Sequence, residues 1–228
     1  MIVKTGRKSA PGRNETMGIR SDLLAATRRA LCEAAMRLFV ERGVAATKVE
    51  DILKASGISV GSFYYLFKNK LDLAANLYLE IQTQFYQKLL QELSQQKEAR
   101  AGVEATVRAY LHWAADHPTE MCYMLYRREV EILEIADEKE KASEIDFRQH
   151  LDEWLRPHID QKVIRSLSLD DCLALWFGPT LYLVRTVLAS FVSSSDSEHG
   201  LQERLLASEK VLALAAWQAL CYESEKSI

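Results

Sequence analysis

Residues that break helices are scarce in this chain. Its 228 residues include nine glycines and four prolines, and long stretches between them are rich in good helix formers. No run alternates β-branched and polar residues as a half-buried strand would. With 48% hydrophobic and 27% charged residues, the composition is typical of a soluble globular protein. The sequence therefore predicts an all-α fold.

Helix start and stop signals divide the chain into about nine helices. They predict a flexible basic arm over residues 1–20, a unit of three short helices over 21–70, and a larger helical body over 71–228 that opens with a long connecting helix. The last helix is expected from Leu201 to Tyr222. The main signals are Gly43, Thr47–Glu50, Gly57, Ser59, Asn69, Pro118, Ser143–Asp146, Pro157 and Ser168–Asp171.

Charge is distributed unevenly along the chain. Residues 1–70 carry 13 Lys and Arg against 6 Asp and Glu, a net charge of +7, whereas residues 71–228 carry 16 against 26, a net charge of −10. A basic block on an acidic body is typical of a protein that meets phosphate groups at one end only. Idle basic tails are also common, so charge alone leaves both interpretations open.

The segment from Thr47 to Phe67 is patterned as two short helices joined by a turn. Phe63 and Phe67 give the second helix an inward face, which leaves small and aromatic residues facing outward. Such a face, flanked by lysines, suits the major groove of DNA. The residues predicted to contact DNA are Thr47, Lys48, Ser59, Val60, Gly61, Ser62, Tyr64, Tyr65, Lys68 and Lys70.

This region closely resembles the DNA-binding domain of the TetR/AcrR family of bacterial regulators. The resemblance covers about residues 22–75, and the one departure is Leu66, where the family often has His. It implies a sequence-specific transcriptional regulator, expected to be a repressor that a small-molecule effector releases from operator DNA. The alternative is a helical protein-interaction module with no DNA role. The matching motifs are Ala35-(x)2-Leu38-Phe39-(x)2-Arg42-Gly43, Thr47, Ile52-Leu53, Gly57-Ile58-Ser59, Gly61-Ser62-Phe63-Tyr64-Tyr65, Phe67-Lys68-Asn69-Lys70 and Leu73.

The resemblance also implies a homodimer in the bacterial cytoplasm, in which the last two long helices of each subunit pair in a four-helix bundle. Residues on approximately one face of each helix are assigned to this interface. They are Trp176, Thr180, Val184, Leu188, Leu212, Ala216 and Ala219. An ordinary intrachain core is the alternative for these residues.

A small-molecule site in the helical body is a further implication of the resemblance. Its candidate residues are aromatic and basic side chains: Trp113, His117, Tyr123, Arg127, Trp154, Trp176 and Phe177. Aromatic residues at helical spacing more often form core, and Arg127 neighbours Glu129, which favours a surface ion pair. Core packing therefore remains the main alternative for this set.

One motif points to an enzyme. Residues Gly57 to Gly61 match G-x-S-x-G, but that nucleophile motif follows a strand, and a capped helix is predicted here instead. A di-iron bundle needs Glu-x-x-His pairs, and none of the five histidines has Glu three residues before it. Asp146 and His150 are spaced to share a metal ion, although an ordinary ion pair is favoured. The sequence therefore predicts no enzyme, no metal and no cofactor.

The apolar segment from Cys172 to Val192 is about long enough to span a bilayer. Arg185 lies inside it, at a cost of roughly 2.5–3.5 kcal/mol at the centre of an inserted helix, and Gly178–Pro179 is expected to break it. A buried interface helix and no membrane partner are therefore predicted. The four widely spaced cysteines and an N-terminus without the apolar core of a signal peptide favour a reduced, intracellular setting.

Overall fold

The computed structural model describes residues 13–126, 130–193 and 198–222. These residues form ten α-helices and no strand beyond one bridge between Ile164 and Cys221, which confirms the all-α prediction. The helices are α1 (Arg13–Arg42), α2 (Val49–Ser56), α3 (Val60–Leu66), α4 (Lys70–Ser94), α5 (Ala99–Asp116), α6 (Pro118–Tyr126), α7 (Val130–Asp160), α8 (Leu169–Ser193), α9 (Glu198–Leu206) and α10 (Glu209–Leu220).

Helices α1 to α3 form a small unit around a shared apolar core. Its largest buried side chains are Phe39 of α1, Ile52 of α2 and Phe63 of α3. Gly43 and Gly57 end α1 and α2 with φ angles of 86° and 71°, the left-handed conformation that favours glycine. Short helices bury little surface individually, so this common core is what stabilises them.

Helix α1 begins earlier than the sequence predicted. It starts at Arg13, so the arm predicted over residues 1–20 is helical in its last part, and residues 1–12 lie outside the described residues. Pro11 and Gly12 are the nearest preceding helix breakers, and the single Gly18 does not interrupt the helix.

Helix α5 is the centre of the larger body. It packs against α4 on one side and against α8, α9 and α10 on the other, while α7 lies along α4. Helix α6 contacts α1 and α4, so it joins the body to the three-helix unit. Helix α6 therefore lies between α1 of the three-helix unit and helices α4, α5 and α8 of the body.

Three helix boundaries predicted in the body are absent, and one further boundary was not predicted. Ser143 and Pro157 both lie inside the single helix α7, because a buried stripe of Phe147, Leu151 and Leu155 continues through the segment. Pro179 lies inside α8 and does not end it. The predicted last helix is two helices, α9 and α10, although no Gly or Pro marks the turn between them.

The start of α5 is packed tightly against Trp154 of α7. A Cβ atom at Gly102 would overlap Trp154 Cζ2 and lie 2.7 Å from Cη2. Trp154 Nε1 donates to the carbonyl of Gln96 at 3.3 Å, and the Trp154 and Trp176 ring centroids are 5.8 Å apart. Only glycine therefore fits at position 102 with the ring in this place.

Helix α8 is apolar around much of its circumference. The part from Leu169 to Ser190 is long and apolar enough to cross a membrane by length and composition. Trp176, Thr180, Val184 and Leu188 of this segment are buried within the chain. One face of α8 is therefore part of the body's own core.

Candidate nucleic-acid interface

Helix α3 presents a row of large side chains to solvent. Phe63 is buried in the core of the three-helix unit, whereas Val60, Tyr64 and Tyr65 are 58%, 57% and 70% exposed. The rings of Phe63 and Tyr64 meet edge to face, with centroids 5.1 Å apart. The buried ring thus fixes the direction of α3, and the outward side chains lie on the face that the sequence predicted.

The first turn of α3 is held by its own hydroxyl groups. Ser59 Oγ accepts from the Ser62 backbone N–H at 3.2 Å, as predicted for an N-cap, and the two Oγ atoms are 2.9 Å apart. Gly61 follows the cap, and a Cβ atom there would meet nothing within 4 Å. The fold itself does not require glycine at this position, so the open space is available to a partner.

Two lysines flank the outward face of α3. Lys48 is the exposed residue that precedes α2, and its N–H donates to Asp51 Oδ2 at 3.4 Å. Lys68 is exposed after α3, and its N–H donates to Asp72 Oδ2 at 2.8 Å. No ion pair in the described part of the chain engages either ammonium group. Both charges are therefore placed to meet phosphates.

Thr47 and Lys70 have different roles from those predicted. Thr47 is fully buried, and its hydroxyl donates to the Gly43 carbonyl at 2.8 Å, so it neither caps α2 nor faces a partner. Lys70 Nζ donates to the carbonyls of Thr47 at 2.7 Å and Ala45 at 3.1 Å. These carbonyls follow the end of α1 and have no helical partners. Thr47 therefore holds the turn to the end of α1, and Lys70 holds the same turn to the start of α4.

Comparison with known proteins identifies the three-helix unit. Residues 31–77 match the family model described as bacterial regulatory proteins, tetR family. The three-helix unit therefore carries the sequence pattern of the tetR family. The HTH-type transcriptional regulator AcrR of Shigella flexneri is 38% identical over 52 residues, which are 23% of this chain and 24% of AcrR. The fatty acid metabolism regulator protein of Bacillus subtilis is 23% identical over 131 residues, which are 57% of this chain and 61% of that protein.

These two matches cover less than two thirds of either relative, but solved tetR-family structures resemble the whole fold. FadR from Bacillus subtilis in complex with stearoyl-CoA has a TM-score of 0.65 and 17% identity, over 84% of this chain and 98% of that one. The SmeT–triclosan complex has a TM-score of 0.63 and 21% identity, over 89% and 95%. The helical body that follows the tetR-family domain therefore has the fold of these regulators.

Leu66, the residue that departs from the tetR-family pattern, ends α3 and packs half-buried against the core. Ser59 of the G-x-S-x-G sequence lies between two helices of the tetR-family domain and bonds to Ser62, which is unlike the strand-borne nucleophile of a hydrolase.

The possible metal pair Asp146 and His150 lies on α7. His150 Nδ1 lies 3.6 Å from Asp146 Oδ1 and 2.7 Å from the Asp146 carbonyl. The contact with that carbonyl raises the pKa of His150.

The residues predicted to form one effector site fall into three groups. Trp113 and His117 line an open cleft of about 660 Å³ between α4 and α5. Trp154, Trp176 and Phe177 form a second cluster of rings. Phe85 and Tyr110 connect these two groups, because the Phe85 ring contacts those of Trp113 and Tyr110, and the Tyr110 ring contacts that of Phe177. Tyr123 packs towards the three-helix unit, and Arg127 lies outside the described residues, so the single effector site stays a prediction.

The predicted dimer interface is also largely internal. Trp176, Thr180, Val184, Leu188 and Ala216 are 0–1% exposed within their own chain, and Leu212 and Ala219 are half-buried. The five buried residues are therefore unavailable to a partner. The outward faces of α8 and α10 carry apolar side chains that the sequence interpretation missed: Leu175 (37% exposed), Tyr182 (75%), Val211 (69%) and Leu214 (42%).

Proposed function

We propose that this protein is a homodimeric, sequence-specific transcriptional repressor that binds operator DNA through α3 and releases it when a small molecule occupies the helical body. The observation that carries the proposal is the outward face of α3. Val60, Tyr64 and Tyr65 expose apolar surface beside the open space at Gly61, with Lys48 and Lys68 on either side. Clustered exposed apolar side chains mark binding sites, and this arrangement fits a major groove between two phosphate backbones.

Contacts through α6 support control of the DNA-binding domain by the body. Tyr123 Oη donates to the Ala74 carbonyl of α4 at 2.9 Å, and its ring stacks on Phe39 of α1, with centroids 6.0 Å apart. A ligand that displaces α6 therefore also displaces α1 and α4. The structural relatives FadR and SmeT hold stearoyl-CoA and triclosan, so this fold accepts small molecules of different chemistry.

The salt dependence of operator binding tests the phosphate contacts. We expect Lys48→Ala to weaken binding to all DNA sequences about equally and to lower the slope of log K against log salt by about one, because one fewer phosphate is neutralised. Electrophoretic mobility shift at several salt concentrations measures this, with DNA from the region upstream of the protein's own coding sequence. Lys97→Ala removes an exposed lysine between α4 and α5 and is expected to leave the slope unchanged.

Equal slopes for wild type, Lys48→Ala and Lys97→Ala would contradict the assignment of Lys48. A chain that shifts no DNA at any salt concentration would contradict the function itself and would leave the interaction-module alternative. Tyr64→Ala tests whether the outward face of α3 contacts the DNA groove, and Tyr222→Ala in the body is its control. We expect only the first to weaken the specific complex.

The dimer is proposed to form through the outward faces of α8 and α10. Helices α8 and α10 pack against each other, and their outward faces carry four exposed apolar residues: Leu175, Tyr182, Val211 and Leu214. We expect Tyr182→Asp combined with Val211→Asp to give a monomer at micromolar concentration, because two unpaired carboxylates would be buried in the interface. Sedimentation velocity measures this, and Ile145→Asp together with Val163→Asp is the control pair, because both side chains are exposed and lie outside α8 and α10. A double variant that sediments as the wild type does would place the interface elsewhere.

A further inference from the structure

The open cleft between α4 and α5 has the size of a small-molecule site. Its volume is about 660 Å³, within the range of roughly 300–1,000 Å³ that is usual for ligand pockets. Ala105, Ala109 and Trp113 line it at intervals of four residues, so they share one face of α5. All three are less than 9% exposed. They therefore form an apolar floor about 12 Å long, in which the two alanines leave the room and Trp113 supplies a ring at one end.

Basic side chains line both walls of this cleft, Lys88 on α4 and Arg108 on α5. The two helices pack together and are joined by residues 95–98 only, so they are antiparallel. Their register is given by Leu93 Cδ1, which lies 3.2 Å from the Cβ position of Gly102. Lys88 precedes Leu93 by five residues and Arg108 follows Gly102 by six. The two cations thus lie at about the same height on opposite walls.

The charges at this height favour an anion. The Glu104 carboxylate accepts from Arg100 Nε at 2.7 Å and from Arg108 Nη1 at only 3.4 Å, so one carboxylate serves two guanidinium groups. On the opposite wall Lys88 Nζ donates to Glu92 Oε1 at 2.5 Å. Three cations therefore stand against two carboxylates, which leaves one positive charge above the apolar floor.

The remaining charged side chains of the cleft lie farther along α5. Asp116 follows Arg108 by eight residues, about 12 Å of helix, so solvent and salt largely screen its charge from the centre. His112 Nε2 lies 2.8 Å from Glu209 Oε2 of α10. The ring of His117 packs against that of Trp113, with centroids 4.9 Å apart. The cleft thus combines a cationic centre with an aromatic end.

We propose that this cleft binds an aromatic molecule with one carboxylate, which lies between Lys88 and Arg108 while the ring covers the floor from Ala109 towards Trp113. Charge-assisted bonds to a carboxylate are about twice as strong as neutral ones, and a guanidinium group suits this acceptor best. This inference rests on the proposed function, since it gives the chemical class of the effector.

The two walls of the cleft connect to the two parts of the molecule that an effector must couple. Helix α4 begins at Lys70, which bonds to the α1–α2 turn of the three-helix unit. Helix α5 contacts α10 of the proposed dimer interface, where His112 meets Glu209. A carboxylate that draws Lys88 and Arg108 together would thus shift α4 relative to the dimer.

Three naphthalene probes test the proposal on the full-length protein. 2-Naphthoate is an anion at pH 7, 2-naphthamide is its neutral counterpart of similar shape, and 2-naphthylmethylamine is a cation. We expect 2-naphthoate to bind about 10-fold or more tightly than either of the others, because only its carboxylate pairs with the two cations. Isothermal titration calorimetry gives the three dissociation constants.

Substitutions separate recognition of the charge from occupation of the space. Arg108→Gln is expected to weaken 2-naphthoate about 10-fold and to leave 2-naphthamide unchanged. Ala109→Leu extends a side chain from the floor into the cleft and is expected to weaken both probes about 10-fold or more, with circular dichroism to verify the fold. The matched control is Arg156→Gln on α7, where the arginine Nε donates to Asp152 Oδ2 at 2.8 Å, also four residues away. It is expected to change neither affinity.

Operator binding is measured with and without the probes. Saturating 2-naphthoate is expected to weaken the operator complex about 10-fold, within the usual range of coupling between sites, and 2-naphthamide at the same concentration is expected to have little effect. An operator complex that saturating 2-naphthoate leaves unchanged would overturn the assignment of the cleft to the effector.

Three results of the binding experiments would also overturn the proposal. They are equal affinities for 2-naphthoate and 2-naphthamide, tighter binding of 2-naphthylmethylamine, and wild-type affinity for 2-naphthoate in both Arg108→Gln and Ala109→Leu. The ligand-free protein distinguishes failure of this proposal from failure of the proposed function. If it binds operator DNA while the probes fail, the effector class is wrong and the repressor function stands, whereas a protein that binds no operator contradicts the proposed function.

Discussion

Gly61→Leu is expected to reduce operator affinity to the level of non-specific DNA, a loss of about 10³-fold or more, without destabilising the protein. A Cβ atom at this position meets nothing within 4 Å, so the fold accommodates a side chain there. Leucine also has a higher helix propensity than glycine, by up to about 1 kcal/mol. A base edge or sugar that approaches the backbone at Gly61 would instead collide with the new side chain.

Two measurements on the same variant make this result informative. Thermal unfolding should show an unchanged or higher melting temperature, and mobility shift should show loss of the specific complex only. Ala142→Leu, at an exposed position on α7, adds leucine away from α3 and is expected to leave DNA binding intact. Specific binding by Gly61→Leu at wild-type strength would show that DNA does not approach this part of α3.

The second large effect is expected at Gly102. Gly102→Val should destabilise the protein by about 3 kcal/mol, at the upper end for overpacking of a tight core, and lower the melting temperature by about 6–12 °C. The cause is the Trp154 ring, which the new side chain overlaps and which Gln96 and Trp176 hold in place. Glycine is conformationally unremarkable here, so the effect is steric and not a matter of backbone strain.

A double-mutant cycle identifies that cause. In a Trp154→Ala background the same Gly102→Val substitution should cost little, so the coupling energy between the two sites should be about 2–3 kcal/mol. Chemical denaturation of the four proteins measures it. Additive effects would mean that the valine destabilises α5 in some other way, for example through Leu93, whose Cδ1 lies 3.2 Å from the Cβ position.

The sequence predicted the local features of the three-helix unit and the start of α4 well, because local chemistry determines them. Gly57 adopts the left-handed conformation, Ser59 caps α3, and Asn69 Oδ1 accepts from the Asp72 N–H at 2.8 Å to cap α4. The outward direction of Tyr64 follows from the inward direction of Phe63 on so short a helix. In each case the deciding interaction lies within four residues.

Other features depend on tertiary packing, and there the sequence was insufficient. Thr47 has the chemistry of an N-cap, but it lies beneath the α1–α2 turn, where burial and the Gly43 carbonyl determine its role. Ser143 and Pro157 carry boundary signals that the continuous packing of α7 overrides. Such contacts join residues whose proximity no local pattern reveals.

Helix α8 shows why the dimer residues were misassigned. Apolar residues such as Leu175 and Tyr182 point outward while Trp176 and Val184 point inward, so the helix has no distinct polar face. Periodicity identifies the inner side of a helix only when the outer side is polar. Distinguishing core from surface on α8 therefore required the positions of α5 and α10.

The bonds from Lys70 Nζ to the Ala45 and Thr47 carbonyls attach the start of α4 to the three-helix unit. Helix α4 has 25 residues and is about 37 Å long, so a rotation of about 5° around its far end would move Lys70 by about 3 Å. In the proposed dimer the two displacements would combine against a half-site spacing of about 34–36 Å. A change of a few degrees inside the body would thus be enough to bring two α3 helices out of register with successive turns of DNA.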